Sequence, residues 1–413
     1  MDLKDTAEQA EFRAEARAWL DANQPKHLLP ELQKATFGKS PFKAEQHLQH
    51  SREWQAKKYD SGWACIHWPK KLGGRDATQI QRIIWGQEEG PYAALSGIFI
   101  IGHGLAAPTL MAHASEEQKE RLLPPMARGD EIWCQLFSEP GAGSDLAGIR
   151  TRAVREGDDW VINGQKTWTS GAQHCQYAVL VTRSDPTLPK HKGLTYFFID
   201  MTDPAVEVRP IKQASGESQF NDVFFTNLRI PDSQRLGEVG AGWQVSLTTL
   251  MNERATLGTS MSTGFGEILD YARTVDTDNG PAIANAAVRE KLADWYVRTS
   301  GLKYTGWRAI SAISHGKIPG PENSIGKVVV GNTMQEAASL ALELQEMAGV
   351  LVDPMQADYD AKFQAMALRS LGIRIEGGTD EILKNIIAER VLGLPGDIRV
   401  DRGIPFSEIP SGS

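Results

Sequence analysis

The sequence predicts an α+β protein laid out as helices, then strands, then helices. Two observations carry that expectation. Apolar residues recur at helical spacing in 1–130 and again in 241–413, and between them short β-branched and aromatic runs alternate with Gly, Pro, Asp and Asn. Size agrees: 413 residues, 41% apolar and 23% charged, suffice for two or three packed domains and exclude disorder as the main state. The texture divides the chain into an N-terminal helical domain (1–130), a middle β domain (131–240) and a C-terminal helical bundle (241–413).

The elements follow in order. Asp5 with Glu8 reads as a capping box, and Phe12, Ala16, Trp19 and Leu20 keep helical spacing up to Asn23-Gln24-Pro25. From Pro25 to about Pro41 the pattern is that of a loop. Helix returns from about Ala44 to Tyr59, stops at Ser61-Gly62 and resumes after Gly73-Gly74 toward Ile98–Ala107. Ser115 caps another, which ends near Arg128-Gly129-Asp130. Strands are expected at Ile132–Phe137, Trp160–Ile162, Ala178–Val181, Leu194–Ile199, Val206–Val208 and Val223–Leu228. Glu156-Gly157-Asp158-Asp159 and Asn163-Gly164 both carry hairpin-turn chemistry. Beyond Gly242, Gln244–Thr256, Val288–Ser311, Ser324–Met347 and Ala361–Ile373 read as long helices, a set that fits a four-helix bundle, with breaks at Asp276–Pro281 and Lys317–Pro321.

Charge narrows the function. A net charge of −8 argues against nucleic acid as the main partner. The charged N-terminus, the lack of an apolar run of membrane-spanning length and three scattered cysteines (Cys65, Cys134, Cys175) make the cytoplasm the expected location, without a membrane span or disulfide framework. His47 and His50 stand at i, i+3, but no carboxylate or cysteine cluster supports a metal there, so none is expected.

Three motifs bear chemistry. Glu139-Pro140-Gly141-Ala142-Gly143-Ser144-Asp145 follows a strand; its glycines let backbone amides approach an anion or a flat ligand, and an ordinary polar turn explains it equally well. Asn163-Gly164-Gln165-Lys166-Thr167-Trp168-Thr169-Ser170 offers an indole wall and hydroxyl donors to a heterocycle, or simply a packed strand edge. Arg374-Ile375-Glu376-Gly377-Gly378-Thr379-Asp380-Glu381-Ile382 precedes an amphipathic helix and reads as an N-cap or as a second backbone cradle.

In this order and at these separations, the three motifs resemble the acyl-CoA dehydrogenase family over nearly the whole chain. The resemblance implies an FAD enzyme that desaturates an acyl-CoA between Cα and Cβ and passes electrons to an electron-transferring flavoprotein. It implies a homo-oligomer (dimer or tetramer) or a heteromer with a related subunit. By likeness, Gln135, Phe137 and Ser138 lie along the pyrimidine side of the flavin, and Gly143 and Ser144 meet flavin phosphates and the substrate's pantetheine arm. Trp168 walls the ring system and Ser170 bonds near N5. Gln345 and Gly349 reach the FAD of a neighbouring subunit, and Thr379 and Glu381 lie near pyrophosphate and ribose.

Two departures qualify the likeness. Many members place the catalytic base immediately before the late Gly-Thr, where this chain has Gly377. Glu253, in Leu250-Met251-Asn252-Glu253-Arg254, matches the alternative used by a minority branch and is the expected base, with Arg254 beside it toward substrate; burial would raise the Glu253 pKa. Glu376, one residue away, points elsewhere. Gly377 keeps the backbone amide that in the family holds the thioester oxygen. Members also carry Arg-x-x-Phe-Gly where this chain reads Tyr271-Ala272-Arg273-Thr274-Val275-Asp276-Thr277-Asp278-Asn279-Gly280. Either FAD is held by other contacts or a sister subunit supplies them. The alternatives are accordingly a partner subunit with little activity alone, and an oxidase or monooxygenase on the same fold. The acyl group is open among straight-chain, steroid side-chain and aromatic; small residues at Gly258, Thr259 and Ser260 leave room for bulk.

Overall fold

Thr6 starts the first helix, α1 (Ala7–Asn23): its hydroxyl accepts from the Gln9 amide, and the Gln9 side chain accepts from the Thr6 amide. The box thus lies one residue later than Asp5/Glu8 suggested, because Asp5 is drawn instead into an ion pair with Arg13 at 2.6 Å. The computed structural model describes residues 5–34, 40–257, 262–278, 280–315 and 320–410. Helices occupy the N-terminal part, a β-sheet the middle and helices the C-terminal part. By internal contacts the chain forms two compact units, one helical (Met1–Lys43, Gln79–Pro91, Leu257–Gly396) and one mixed (Ala44–Thr78, Tyr92–Thr256, Asp397–Ser413).

The mixed unit is organised by an eight-stranded sheet. Its strands are β1 (Trp133–Leu136), β2 (Arg152–Glu156), β3 (Asp159–Ser170), β4 (Tyr177–Arg183), β5 (Leu194–Asp200), β6 (Val206–Pro210), β7 (Phe220–Pro231) and β8 (Arg235–Leu236). They run β6-β7-β3-β2-β4-β5-β8, with β1 added parallel to β4. Strand alternation sorts the side chains into two cores. Val179, Val181, Leu194, Tyr196 and Phe198 face one, shared with Leu110, Leu122 and Met126 from helices. Ala178, Leu180, Phe197 and Ile199 face the other, with Trp160, Ile162 and Val223. Burial on both faces explains why β4 and β5 read as continuous apolar runs.

Three helices of this unit matter below: α2 (Ala44–Asp60), α4 (Ala107–His113) and α5 (Glu116–Arg128), α3 being Gln79–Glu89 of the helical unit. Helix α5 begins with the Ser115 capping box and ends at left-handed Gly129, φ +86°, as the sequence predicts. A sixth helix, α6 (Gly242–Leu257), leaves the sheet after β8.

In the helical unit, α7 (Phe265–Thr274), α8 (Ala286–Ser314), α9 (Ser324–Leu344) and α10 (Lys362–Ile373) share one core of Ile268, Tyr271, Leu292, Trp295, Met334, Ala338, Phe363 and Met366. Helix α11 (Asp380–Ile386) follows the last motif. The break expected at Asp276–Pro281 is a short antiparallel ribbon, Asp276–Thr277 with Gly280–Pro281. Gly258, Thr259, Ser260 and Asn279, and most of the Lys317–Pro321 break, lie outside the described residues.

Candidate active site

Asn163-Gly164 does not turn the chain; it sits inside β3, which runs unbroken from Asp159 to Ser170. Opposite it, β7 carries one extra residue, a bulge with Asn227 in the left-handed region (φ +53°). The Asn163 side chain closes that bulge, accepting from the Asn227 amide at 2.8 Å and donating to its side-chain oxygen at 3.1 Å. Gly164 (φ +151°) is required there, because a Cβ would lie 2.7 Å from Thr151 Cα. Here Asn163 serves through its side chain and Gly164 through its lack of one, and neither takes the backbone of a hairpin turn. The Glu156–Asp159 turn does join β2 to β3 as expected.

A second bulge puts the extra residue on β3, between Lys166 and Thr169. Trp168 falls in it with φ +58°, a conformation costing a bulky residue about 1–3 kcal/mol. Its indole is 58% exposed, edge-on to Phe220 with ring centroids 6.0 Å apart. Ser170 is exposed beyond it, whereas Thr169 points inward with a buried hydroxyl that has no hydrogen-bond partner. Strain retained to display an aromatic face is the mark of a binding surface rather than of a core.

Lys166, wholly buried, ties this strand to the Glu-Pro-Gly motif. Its ammonium donates to a Glu139 carboxylate oxygen at 2.8 Å and to the Phe137 carbonyl at 2.9 Å. Glu139 also accepts from the amides of Arg150 (2.6 Å) and Thr151 (2.9 Å). Burial pushes the Glu139 carboxyl up, but the Lys166 charge and these donors outweigh it and leave it below its usual value. Burial depresses Lys166 to about 8, against the pull of Glu139. Glu139 and Ala142 exchange backbone bonds of 3.0 Å, so the turn is tight. Past it, Gly143 and Ser144 are exposed, and added Cβ atoms at Gly141 and Gly143 would meet open space. Glu139 and Lys166 each stand inside a motif, but their pairing joins two motifs and leaves no mark in the spacing of either.

On β1, Gln135 donates to Glu253 Oε2 at 3.4 Å, while the Gln135 side-chain oxygen is buried without a partner. Glu253 stands on α6 and is half-buried. Four residues earlier on that helix, Thr249 anchors it to β5 through Tyr196 (2.9 Å) and to α4 through Thr109 (2.8 Å), all fully buried. Phe137 lies in the core, 4% exposed and edge-on to Tyr196, and the Ser138 carbonyl accepts from the Thr167 amide at 2.9 Å. Arg254 continues α6; its side chain lies outside the described residues.

The helical unit holds the remaining candidates. Gly377 and Gly378 are both left-handed (φ +58° and +95°), a backbone that disfavours a carboxylate-bearing side chain at 377. Lys327 donates to the Gly378 carbonyl. Thr379 caps α11 by accepting from the Ile382 amide at 3.2 Å, and Glu381 is exposed in its first turn. Asp380, 2% exposed, pairs with Arg374 at 2.7 Å. Glu376 is held by both guanidinium nitrogens of Arg369. Gln345 is buried and accepts from Gln364 at 2.9 Å, its own amide nitrogen unpartnered, and Gln364 reaches the Gly349 carbonyl at 3.3 Å. A Cβ at Gly349 would strike the Leu342 carbonyl at 2.7 Å.

These features fit a flavin. Unpartnered buried atoms on Gln135 and Thr169 suit the hydrogen-bonding edge of a heterocycle, the Trp168 face suits its ring, and the open glycine turn suits phosphate or pantetheine.

Three family models match in sequence: acyl-CoA dehydrogenase N-terminal domain over residues 6–130, middle domain over 134–228 and C-terminal domain over 240–392. The chain is 33% identical to acyl-CoA dehydrogenase IpdE1 of Mycolicibacterium smegmatis over 407 residues, covering 94% of this chain and 98% of that one. It is 37% identical to acyl-CoA dehydrogenase FadE34 of Mycobacterium tuberculosis over 338 residues, 81% of this chain but only 45% of that protein's length. In structure it resembles the ChsE4-ChsE5 complex of Mycobacterium tuberculosis (TM-score 0.77, 30% identity, 96% and 100% coverage) and the Tcur3481-Tcur3483 steroid ACAD (TM-score 0.78, 27% identity, 96% and 100% coverage). The chain belongs to the acyl-CoA dehydrogenase family: it is an FAD-dependent oxidoreductase that dehydrogenates acyl-CoA.

Proposed function

We propose that the protein desaturates a bulky, steroid-type acyl-CoA between Cα and Cβ, with Glu253 as base and electrons passing onward to an electron-transferring flavoprotein. The observation that carries the reading is the Gln135–Glu253 contact: it sets a carboxylate beside the strand that leads into the Glu-Pro-Gly loop. The family's commoner position is a left-handed glycine here, and Glu376 is neutralised by Arg369. Support for the substrate class comes from the likeness to a steroid ACAD.

In this mechanism bound FAD supplies the hydride acceptor. Glu253 removes the α-proton onto a carboxylate oxygen, and Gln135 orients that carboxylate by donating to its other oxygen. The Gly377 amide stabilises negative charge growing on the thioester oxygen. Gly143 and Ser144 take the pantetheine arm, Arg254 adds a contact to substrate, and Trp168 and Ser170 hold the ring system on β3. Gln345, Gly349, Thr379 and Glu381 serve the dinucleotide end.

We assign the chain to a heteromer with a related subunit. The Arg-x-x-Phe-Gly segment is replaced by an acidic stretch that includes Asp276 and Asp278, and two structural relatives are complexes of paired chains. The test is anaerobic bleaching of the flavin band by acyl-CoA. Glu253→Gln should keep its flavin and lose about 10²–10⁴-fold in reduction rate, while Glu376→Gln changes little. Reduction at the normal rate in the Glu253 variant removes it as the base. A folded but colourless protein when purified alone places the cofactor contacts in the sister subunit.

A further inference from the structure

The segment Asp397–Ile409, distant in sequence from the sheet, packs along the loop that joins β4 to β5. Pro405 bridges to Pro189, the Phe406 amide donates to the Leu188 carbonyl and the Ser407 amide to the Pro186 carbonyl, both at 2.9 Å. The Phe406 ring, 6% exposed, lies against two guanidinium groups, that of Arg183 at 3.9 Å and that of Arg150 at 5.0 Å. Buried Arg183 in turn donates to the carbonyls of Ala147 (2.5 Å) and Lys190 (2.7 Å). The Lys190 ammonium joins two carboxylates: Asp145, at 2.9 Å to each oxygen, and Asp401.

Asp145 closes the Glu-Pro-Gly-Ala-Gly-Ser-Asp motif, and Ala147 lies two residues on. Ala142 is 4% exposed and packed in the core, but Gly141, Gly143, Ser144 and Asp145 around it are exposed, and the glycines face open space. Two glycines make such a turn entropically costly to order, so the exposed stretch 143–145 depends on what holds the chain on either side of it. One end is fixed by Glu139 and Lys166. On the far side Leu146 and Ala147 are buried, and Arg183 and Lys190 bond to Ala147 and Asp145; both of these cations are held from outside by the 397–409 segment.

We propose that Phe406 and Asp401 are positioning residues: the segment is a strap that fixes the far end of the glycine turn so that Ser144 meets acyl-CoA already in place. The idea rests on the reading of Ser144 as a substrate contact. Without the strap the turn samples more conformations, and substrate binding must supply the order. The loss then falls on KM rather than on kcat.

The experiment uses the full-length flavoprotein with Phe406→Ala and Asp401→Asn, and Phe406→Tyr and Asp401→Glu as conservative partners. KM for acyl-CoA should rise about five- to tenfold with kcat within about twofold, in line with the loss of a desolvated cation–π contact. Amide hydrogen exchange of residues 141–148 should quicken, and the Tyr and Glu variants should restore both readouts. Unchanged KM and exchange, or a lower melting temperature with unchanged kinetics, overturns the proposal and leaves a purely structural segment. Ser144→Ala runs alongside. If it raises KM while the strap variants do not, the strap alone is wrong; if it too leaves KM unchanged, the reading of the turn as a substrate contact falls, and the strap's role with it.

Discussion

Replacing Lys166 by Met probes the joint between two motifs. The ammonium is fully buried, 2.8 Å from Glu139, and removing it strands a carboxylate that is itself 8% exposed. Breaking a buried pair from one side costs about 3–5 kcal/mol. Glu139 keeps two backbone donors, at 2.6 and 2.9 Å, so the lower end applies, about 3 kcal/mol. For a domain of this class that is a fall of about 6–12 °C in Tm, read by circular dichroism or by flavin release on heating. The pH dependence adds a second check. Lys166 titrates at about 8 in the folded protein, below its ordinary 10.5. Between those values the unfolded chain keeps a proton that the folded one gives up, so this group makes stability rise with pH from about 8 toward 10.5, and its contribution is lost again as pH falls through 8. The Met variant lacks that rise. A Tm within about 1 °C of the parent, or the same pH slope in both proteins, refutes the reasoning.

Other outcomes follow from the same geometry. Gly164→Ala drives a Cβ into Thr151 at a left-handed φ and should cost about 2–4 kcal/mol in urea unfolding. Trp168→Gly should stabilise the flavin-free protein by about 1 kcal/mol, because the strained backbone is relieved and few contacts are lost, while weakening flavin retention on dialysis. Thr379→Ala removes the cap of α11 and should lower stability by about 1 kcal/mol, again in denaturant titration.

Much of the fold was legible because the signals were redundant. Strands β4 and β5, buried on both faces, read as unbroken apolar runs, and the long helices α8 and α9 repeat their apolar spacing over many turns. Strand β2 was missed: Arg152-Ala153-Val154-Arg155-Glu156 has three charged residues and buries fully only Ala153. Asn163-Gly164 has the composition of a hairpin turn, but the need it answers, a close approach to Thr151 and a side-chain bond to Asn227, comes from strands distant in sequence. The 397–409 strap escaped notice because an extended segment that docks through backbone bonds and one ring leaves no periodic trace. For the site, Trp168 and the glycine turn were visible as motif members, but the pairing of Lys166 with Glu139 and of Gln135 with Glu253 joins residues far apart in sequence, and spacing alone cannot express it.

The two bulges along β3 make chain length there a harder constraint than residue identity. Inside and outside alternate with every residue; the bulge between Lys166 and Thr169 shifts that count once along β3, while the other takes its extra residue from β7. Deleting Gln165, which lies ahead of both, would turn the Lys166 ammonium toward water and the Trp168 indole toward the core in one stroke, leaving Glu139 without its partner. Relatives that vary freely in side chains across this stretch should therefore still agree in its length.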